Sequence, residues 1–487
     1  MRTEKYKNYA IGLAINLSML LIFWGGMLRK SFNADTVSHM TSQDADIFWN
    51  LADGRFIIAL GDAILMKLGL RVTNNLSITM FFAFLFFAMA MLVVQKIFKD
   101  WQPEEQWGRI GWFFGVNLVF LNVLFAELLM FGECSAYFGF GYFMASLGVL
   151  QFTRKRYISM FLLFLAGACS YQYTMIFAAI LIAFYICLKH REELTLKAVK
   201  EELFGIIACM SAGVLNLLSV KLLVKLGVIE KFGKYAGWGD GHQKLTDFEA
   251  SLISLYRSSM EIFPDLWLPL LFILGVFALM VYSCIKSKTL KKFPFILIVF
   301  LGSMVMLYAI PFMQESFSFP PRMAFCFYLL QGMLAVTAYA VCTTGMRKLL
   351  TTACMGYILI QLLFSDFVVT NHFVSNTLDE VYVSMMYQEV LKYEEETGTR
   401  VTRIAIYKDI DAPDNYEEVN YHVHQINERT LGTATNSLIW KVTGRHFEDI
   451  GNQQEIYDQY FKDRNWDYLD LSQQLVIIGD TAYWCIF

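Results

Sequence analysis

Residues 9–28 read YAIGLAINLSMLLIFWGGML, a continuous run of apolar and small residues without a charged side chain. An apolar α-helix of about 20 residues is long enough to cross the hydrocarbon core of a bilayer. Three basic residues, Arg2, Lys5 and Lys7, precede the run. We therefore interpret it as an uncleaved first membrane helix rather than a signal peptide, with the N-terminus in the cytoplasm.

The rest of the chain continues this pattern. Of its 487 residues, 56% are hydrophobic and only 17% are charged, which is too little charge for the surface of a soluble protein of this length. The nine cysteines mostly lie inside apolar runs and lack metal-ligand spacing, so we interpret them as small buried residues. We expect a polytopic α-helical membrane protein with about eleven spans, at approximately 9–28, 76–96, 110–130, 136–153, 157–171, 173–189, 204–228, 265–285, 293–312, 324–342 and 349–369.

Basic residues predict the orientation of these spans. They lie in alternate loops, including Lys96/Lys99, Arg154–Arg156, Lys189–Lys200, Lys286–Lys292 and Arg347/Lys348. Because cytoplasmic loops are enriched in lysine and arginine, we place these loops in the cytoplasm and the others outside. An odd number of spans then puts the C-terminus outside as well.

Two domains follow from this organisation. Residues 1–370 form the membrane body, which includes a long first exterior loop at 29–75. Residues 371–487 carry 20 acidic against 9 basic residues, and we expect them to form a small extracytoplasmic α/β domain. Its predicted elements are a helix at 375–396, strands at 401–407 and 475–478, and a final apolar stretch at 483–487.

The first exterior loop contains Asp35, Asp44, Asp46, Asp53 and Arg55. It ends in an apolar segment, 57–70, that is too short and polar to span and suits a helix lying in the membrane interface. Most acid-rich loops are simply solvated. Here, however, a carboxylate close to the membrane could accept a proton from a sugar hydroxyl, and an arginine could bind a phosphate.

A metal is an alternative use for part of this loop. Asp44 and Asp46 could hold a divalent cation, Mg²⁺ or Mn²⁺, on a lipid phosphate. An isolated Asp-x-Asp pair is weak support for such a site. His422 and His424 alternate along a predicted strand, but without further ligands they do not indicate a metal.

Further polar residues recur on the exterior side: Glu133, Tyr171, Gln172 and Arg322. Ionisable groups at membrane depth are costly and often mark functional cavities. The alternatives are a hydrated loop end for Glu133, an interfacial aromatic belt for Tyr171 and its neighbour Tyr173, and snorkelling for Arg322. Gln172 would be a buried amide and would need partners.

These motifs together resemble a known family. A cytoplasmic N-terminus, an acidic first exterior loop that ends in Asp53-Gly-Arg55, a Tyr171-Gln172 turn and a late Pro-Arg at Arg322 are similar to those of bacterial Gtr-type membrane glucosyltransferases, of the GT-C architecture. Many relatives have two adjacent acids where this chain has Asn33-Ala34-Asp35. The catalytic base is therefore open between Asp35, Asp44 and Asp46.

The resemblance implies a function at the bacterial plasma membrane. Family members take a hexose, here glucose, from a polyprenyl phosphate and add it to a cell-surface glycan. A first-loop aspartate would act as base with inversion, and Asp53, Arg55, Glu133, Tyr171, Gln172 and Arg322 would bind substrate. Expected partners are the lipid-linked donor, the glycan acceptor, the bilayer and membrane proteins that make and flip the donor, with no nucleic acid.

Two other classes remain as alternatives. A polysaccharide polymerase or a lipid-linked-saccharide flippase would use the same lipids, but a flippase needs polar groups along a path through the middle of the membrane. A receptor would bind its ligand through the exterior tail, and eleven spans are more than such an anchor requires.

Overall fold

A computed structural model describes residues 2–41, 45–191, 195–230, 239–290, 293–408, 430–464 and 469–486. Within these ranges the body consists of helices, and the longest helix extends from the body into the tail. The helices are α1 Arg2–Trp24, α2 Ala34–Thr41, α3 Ala45–Ala52, α4 Phe56–Lys67, α5 Leu76–Ile97, α6 Gln106–Asn117, α7 Ala126–Met130, α8 Ser135–Thr153, α9 Tyr157–Ser170, α10 Thr174–Lys189, α11 Leu196–Lys225, α12 Gly241–Ser258, α13 Leu268–Lys286, α14 Phe293–Leu307, α15 Ala309–Met313, α16 Pro321–Ala324, α17 Cys326–Val341 and α18 Thr344–Thr397.

Six helical segments of the described chain are long and apolar enough to cross a bilayer, which identifies a membrane protein. They are Lys7–Leu28, Val72–Ile97, Leu196–Lys225, Leu268–Lys286, Pro321–Val341 and Thr344–Thr397. Three shorter apolar helices are Tyr157–Ser170, Thr174–Lys189 and Phe293–Leu307. The expected number of eleven spans and the GT-C architecture stay predictions.

The loops predicted to be cytoplasmic meet at one end of the body, which we call the basic end. There Lys96 Nζ donates to the Tyr9 hydroxyl at 3.0 Å, and Arg191 Nη1 donates to the Ala340 carbonyl at 3.2 Å. The first exterior loop lies at the opposite end, where the Phe32 amide donates to Asn376 Oδ1 at 2.9 Å. The two ends are thus separate, and which of them faces the cytoplasm stays a prediction.

The third predicted span is a broken helix rather than a continuous one. Helix α6 ends at Asn117 and α7 begins at Ala126, and the backbone between them is buried in protein. Irregular backbone at membrane depth is tolerated only where protein groups satisfy it. Asn122 Nδ2 donates to the carbonyls of Leu118 and Val119 at 3.0 and 2.8 Å, and Gln361 Oε1 accepts from the Val123 amide at 3.1 Å.

Helix α18 connects the body to the tail without interruption. It contains 54 residues, so the predicted last span and the predicted helix at 375–396 are one helix. It ends at Gly398, whose φ of +69° is in the left-handed region that glycine favours. The segment of the first loop that was predicted as an interfacial helix is a helix, α4.

The tail folds around a four-stranded sheet. Its elements are β1 Arg403–Lys408, α19 Thr430–Thr433, α20 Thr435–Thr443, β2 Glu448–Asp449, α21 Gln454–Tyr460, α22 Leu471–Gln474, β3 Leu475–Ile478 and β4 Thr481–Ile486. The strand order is β2-β1-β4-β3, with β1 parallel to β2 and β4, and β3 antiparallel to β4. The two predicted strands at 401–407 and 475–478 are confirmed within a few residues, as β1 and β3, and the final apolar stretch lies mostly in β4. The division of the chain at 370 and the exterior location of the tail stay predictions.

A hydrophobic core joins α18 to this sheet. Every residue of β4 is buried, and the Tyr382 ring of α18 meets the Trp484 ring edge-on at 5.0 Å. The Tyr382 hydroxyl lies within hydrogen-bond distance of Gln474 Oε1, at 2.8 Å, and of the Cys485 carbonyl, at 3.1 Å. The last turns of the membrane helix therefore form one wall of the tail.

Helix packing at the crossing of α6 and α17 gives a test of the fold. A Cβ at Gly332 would collide with the Gly115 carbonyl oxygen, whereas a Cβ at Gly356 on α18 meets nothing within 4 Å. We expect Gly332→Ala to lower the free energy of unfolding by about 1–3 kcal/mol through overpacking. Gly356→Ala should be neutral or slightly stabilising, because alanine favours the helix.

The measurement is the midpoint of thermal unfolding of the detergent-purified protein. Equal midpoints for the two variants would contradict the close crossing of α6 and α17.

Candidate functional site

The first loop begins with a capped helix. Asn33 Oδ1 accepts a hydrogen bond from the Thr36 amide at 2.7 Å, which satisfies a donor of the first turn of α2. Asp35 lies in that first turn and is exposed, and a carboxylate is stabilised at the positive end of a helix. The tail holds this segment in place, because Asn376 bonds both backbone groups of Phe32 at 2.9 Å and Lys441 Nζ lies 4.0 Å from the Phe32 ring centroid.

Glu133 lies against this helix and is buried. The Thr36 hydroxyl is 2.7 Å from Asn33 Oδ1 and 2.5 Å from Glu133 Oε2. One hydroxyl proton cannot serve both acceptors, so both contacts are hydrogen bonds only when Glu133 is protonated. Burial raises the pKa of Glu133, and the nearby Asp35 charge adds to this, while His39 and Thr36 oppose it. The hydrated loop end considered for Glu133 is therefore wrong.

The Asp-Gly-Arg motif forms a tight turn between α3 and α4. Gly54 has a φ of +72°, and a Cβ there would lie 2.5 Å from Asn216 Oδ1 and 2.9 Å from Gln172 Nε2. Gln172 Nε2 donates to the Asp53 carbonyl, and Asn216 Nδ2 donates to the Gly54 carbonyl at 2.7 Å. Position 54 thus requires glycine for two reasons: the left-handed backbone conformation and the close approach of the Asn216 and Gln172 amides. The predicted need of Gln172 for partners is confirmed.

Two arginines lie over neighbouring aromatic rings. Arg55 Cζ is 5.9 Å from the Phe138 centroid, and Arg322 Cζ is 5.1 Å from the Phe131 centroid. The two rings are 6.3 Å apart, and Tyr171 packs on Phe138 at 4.7 Å. A guanidinium over a ring face keeps its in-plane N–H groups available for an anion.

Each arginine has a carboxylate partner. Arg55 Nη2 is 3.1 Å from Asp53 Oδ2, and Arg322 Nη1 is 2.7 Å from Glu127 Oε1. Glu127 is fully buried and also accepts from the Arg322 amide at 2.6 Å. Arg322 therefore points into the protein, so the snorkelling alternative is wrong.

The two tyrosines are interior residues as well. Tyr171 and Tyr173 are 4% and 1% exposed, so the aromatic belt, which needs contact with lipid headgroups, is wrong. The Tyr171 hydroxyl donates to the Arg322 carbonyl at 3.3 Å. This bond connects the Tyr-Gln turn to the Pro-Arg segment.

A polar cleft opens beside these groups. It is lined by His39, Asn50, Asp62, Arg71 and Glu133 together with apolar residues of α4 and the following turn. Asn50 is 4% exposed, and its Oδ1 has no hydrogen-bond partner in the described part of the chain. An unsatisfied buried oxygen is costly, and it gives the cleft an available acceptor.

An apolar groove adjoins the polar cleft and shares Arg71, Leu65, Leu70 and Val72 with it. The groove lies between α4, α5 and α8, and its other lining residues are mainly apolar: Ile57, Asn75, Ile78, Thr79, Phe82, Phe86, Ala136, Tyr137 and Phe140. Tyr137 also donates to Asp62 Oδ1 at 3.1 Å. An amphiphile with a long apolar chain and a charged head fits such a combination.

The structure thus brings together most of the site predicted from the sequence. Asp53, Arg55, Tyr171, Gln172 and Arg322 form connected contacts. Glu133 lies within electrostatic range of Arg55, and Asp35 within electrostatic range of Glu133. Asp44, His422 and His424 lie outside the described residues, and only the backbone of Asp46 is described, in α3. Among described residues no group of three or more His, Cys, Asp or Glu side chains could hold a metal. The predicted use of Asp44 and Asp46 for a metal stays a prediction.

Several site residues were missed by the sequence analysis: Asn50, Asp62, Arg71, Glu127 and Asn216. Glu127 and Asn216 were detectable, since each is a polar residue within a predicted apolar span. Asp62 was detectable in the same way, because it interrupts the apolar segment 57–70. Asn50 and Arg71 have no such signal, because they lie outside the predicted spans in a loop that contains many other polar residues.

Comparison with known proteins gives one match. A family model described as glucosyl transferase GtrII matches residues 26–339, well over half of the chain. The matched range includes the first loop, the polar cleft, the apolar groove and Arg322, whereas the tail lies outside it. No curated protein and no solved structure matches.

The Asp-Gly-Arg turn can be tested with two glycines of equal backbone strain. Gly54 and Gly69 have φ values of +72° and +73°, but a Cβ at Gly69 meets nothing within 4 Å. Gly69→Ala should cost about 1–2 kcal/mol for the left-handed conformation alone. Gly54→Ala should cost clearly more, because Asn216 and Gln172 must also move.

The free energies of unfolding of the two variants, measured by denaturant titration, check this expectation. An equal loss in both variants would contradict the packing of the two amides on Gly54.

Glu133 gives a pH test. Its pKa is raised above the ordinary 4.5, so between 4.5 and the higher value the folded state binds a proton that the unfolded state has lost. The contribution of Glu133 to stability therefore falls as the pH rises through this window. Glu133→Gln removes the titration, and the midpoint of thermal unfolding of the wild type should fall relative to that variant over the window.

All other ionisable groups are common to both proteins and largely cancel in the difference. Parallel curves for the two proteins would show that Glu133 is not held protonated.

Proposed function

The chain belongs to the glucosyl transferase GtrII family, and from this we propose that it transfers glucose from a polyprenyl-phosphate donor to a glycan at the bacterial cell surface. The membership confirms the resemblance found in the sequence and makes glycosyl transfer the reaction. The observation that carries the finer proposal is the apolar groove that leads into the polar cleft, with Arg71 lining both.

The donor would occupy the groove and the cleft together. Its isoprenoid chain would lie against Ile78, Phe82 and Phe140, which are apolar side chains of α5 and α8. Its phosphate would then reach Arg71, which forms no ion pair within the described part of the chain. Nucleotide sugars remain in the cytoplasm, so transfer outside requires a donor carried by lipid.

The arginines would stabilise the leaving phosphate. As the bond between the anomeric carbon and the phosphate oxygen breaks, negative charge grows on that oxygen, and positioned cations lower the energy of this state. Arg71 lines the groove itself. Arg55 and Arg322 lie over the rings of Phe138 and Phe131. The buried Arg55 Nε has no hydrogen-bond partner among the residues that the structure describes and would be available to an anion.

Asp35 is our candidate base. It is exposed at the start of α2, so an acceptor hydroxyl can approach it, and an ionised carboxylate can take the hydroxyl proton during attack on the anomeric carbon. Burial raises the pKa of Glu133 and so favours its neutral form, which suits hydrogen bonding to a sugar rather than proton abstraction. Attack by the acceptor opposite the leaving phosphate gives inversion, by analogy with inverting glycosidases. Asp44 and Asp46 stay alternative bases or ligands of Mg²⁺ or Mn²⁺.

The proposal includes the surroundings of the reaction. The chain would act in the plasma membrane with the cleft on the outer side and the basic end in the cytoplasm. The acceptor would approach from the side of the acidic tail. Membrane proteins that synthesise the donor and flip it across the bilayer would supply the substrate.

Substitution of the three first-loop acids tests the base. Asp35→Asn should reduce transfer from a polyprenyl-phosphate glucose donor by about 10²–10⁴-fold, the usual contribution of a general base. Asp44→Asn and Asp46→Asn, made singly, show whether one of the alternatives carries the role. Asp458→Asn, on the exposed surface of α21, removes the same charge from a residue that lines neither the cleft nor the groove and should leave transfer unchanged.

Transfer is measured in membranes as labelled glucose that reaches the glycan, at equal protein levels. Full transfer by all three first-loop variants would refute the proposed site. Full transfer with a nucleotide sugar as the sole donor would refute the lipid-linked donor.

A further inference from the structure

The basic end of the body holds a second pocket that the proposed reaction does not use. It lies where α8, α9, α10 and α11 approach each other, and its volume is about 1030 Å³ including the open mouth. Its lining is Phe152, Thr153, Lys155, Tyr157, Tyr185, Lys189, Leu196, Lys197, Lys200, Glu201 and Phe204. Because the polar cleft is at the other end of the body, the two sites are distinct.

Charge is the first feature of this pocket. Four lysines line it against one carboxylate, Glu201. Glu201 pairs with Lys189 at 2.8 Å and lies 3.4 Å from His190 Nε2. The other three lysines, Lys155, Lys197 and Lys200, have no ion pair with any residue that the structure describes, so the pocket has an excess of positive charge.

The turn between α8 and α9 adds to the positive charge of this pocket. Lys155 has a φ of +59°, a conformation that L side chains rarely adopt and glycine prefers. The Lys155 amide donates to the Phe152 carbonyl at 2.9 Å, and the Arg156 amide donates to the Gln151 carbonyl at 3.0 Å. This short turn brings a lysine, rather than a glycine, to the mouth of the pocket.

Apolar surface is the second feature. Tyr157 and Phe204 meet edge-on at 5.0 Å, and both are close to half exposed. Leu196, Ile158 and Leu203 beside them are exposed as well, on helices that the bilayer would surround. The pocket is therefore basic inside and bordered by a surface that acyl chains can cover.

We propose that this pocket binds the headgroup of an anionic membrane phospholipid. The phosphodiester would lie among Lys155, Lys197 and Lys200, with its acyl chains along Tyr157 and Phe204. Basic pockets between membrane helices are suited to such headgroups, because the lysines neutralise the phosphate while the chains stay in the bilayer. The bound lipid would fix the start of α11 against the ends of α8 and α10.

Two double variants of α11 test the proposal. Lys197→Gln/Lys200→Gln removes two charges from the pocket, and Lys221→Gln/Lys225→Gln removes two exposed lysines from the opposite end of the same helix. The full chain is titrated with phosphatidylglycerol or phosphatidylcholine in micelles, and bound lipid is counted by native mass spectrometry. Phosphatidylglycerol binding should weaken about 30-fold in the first variant and remain unchanged in the second.

Three results would overturn the proposal. The first is an equal loss of phosphatidylglycerol affinity in both double variants, and the second is equal affinity for the neutral phosphatidylcholine. The third is displacement of the lipid by millimolar inorganic phosphate, which would make soluble phosphate the ligand. The single variant Lys155→Gln gives an independent reading if the double variant folds poorly, and about fivefold weaker binding is expected from the loss of one charge. Unchanged binding in this folded variant would exclude the α8–α9 turn from the site.

Discussion

The geometry of the site depends on the buried carboxylate of Glu127. A charge without access to water is tolerated only when it is paired and hydrogen-bonded, and Arg322 supplies both a guanidinium and a backbone amide. This contact fixes α16 against α7, and with it the position of Arg322 over Phe131. Tyr171 then joins the Arg322 carbonyl to the Phe138 ring, over which Arg55 lies. Four segments that are distant in the chain thus take their places from one ion pair.

The lipid environment explains why so many amides surround the site. Backbone that leaves the helix at membrane depth must find its hydrogen bonds within the protein. Asn122 and Gln361 serve this purpose at the break between α6 and α7, and Gln172 and Asn216 serve it at the Asp-Gly-Arg turn. The irregular backbone at these two places is therefore held by specific side-chain hydrogen bonds.

Sequence patterns predicted the parts of this structure that depend on local composition. The apolar helices and the predicted strands of the tail follow from hydropathy, and the alternation of basic loops places Asp35, Arg55, Gln172 and Arg322 at one end of the body. That this end faces the exterior stays a prediction. The break at residues 118–125 could not be predicted from these patterns, because the residues around it are as apolar as those of a continuous helix. The group that accepts its backbone hydrogen bond, Gln361, lies 238 residues further along the chain. Arg71 escaped notice for a similar reason, since its importance comes from the apolar groove beside it and not from its own sequence context.

The contact between Phe32 and Asn376 has a consequence for the biogenesis of the protein. The two residues are 344 positions apart, so the first loop is synthesised long before the segment that holds it. The loop with Asp35 lacks its support until α18 has been inserted. It also needs the later contacts of α20 with Thr41 and of Lys441 with Phe32. A nascent chain that has inserted most of its membrane helices therefore still lacks the contacts that hold this loop. The final arrangement of the first loop thus depends on the last quarter of the chain to be synthesised.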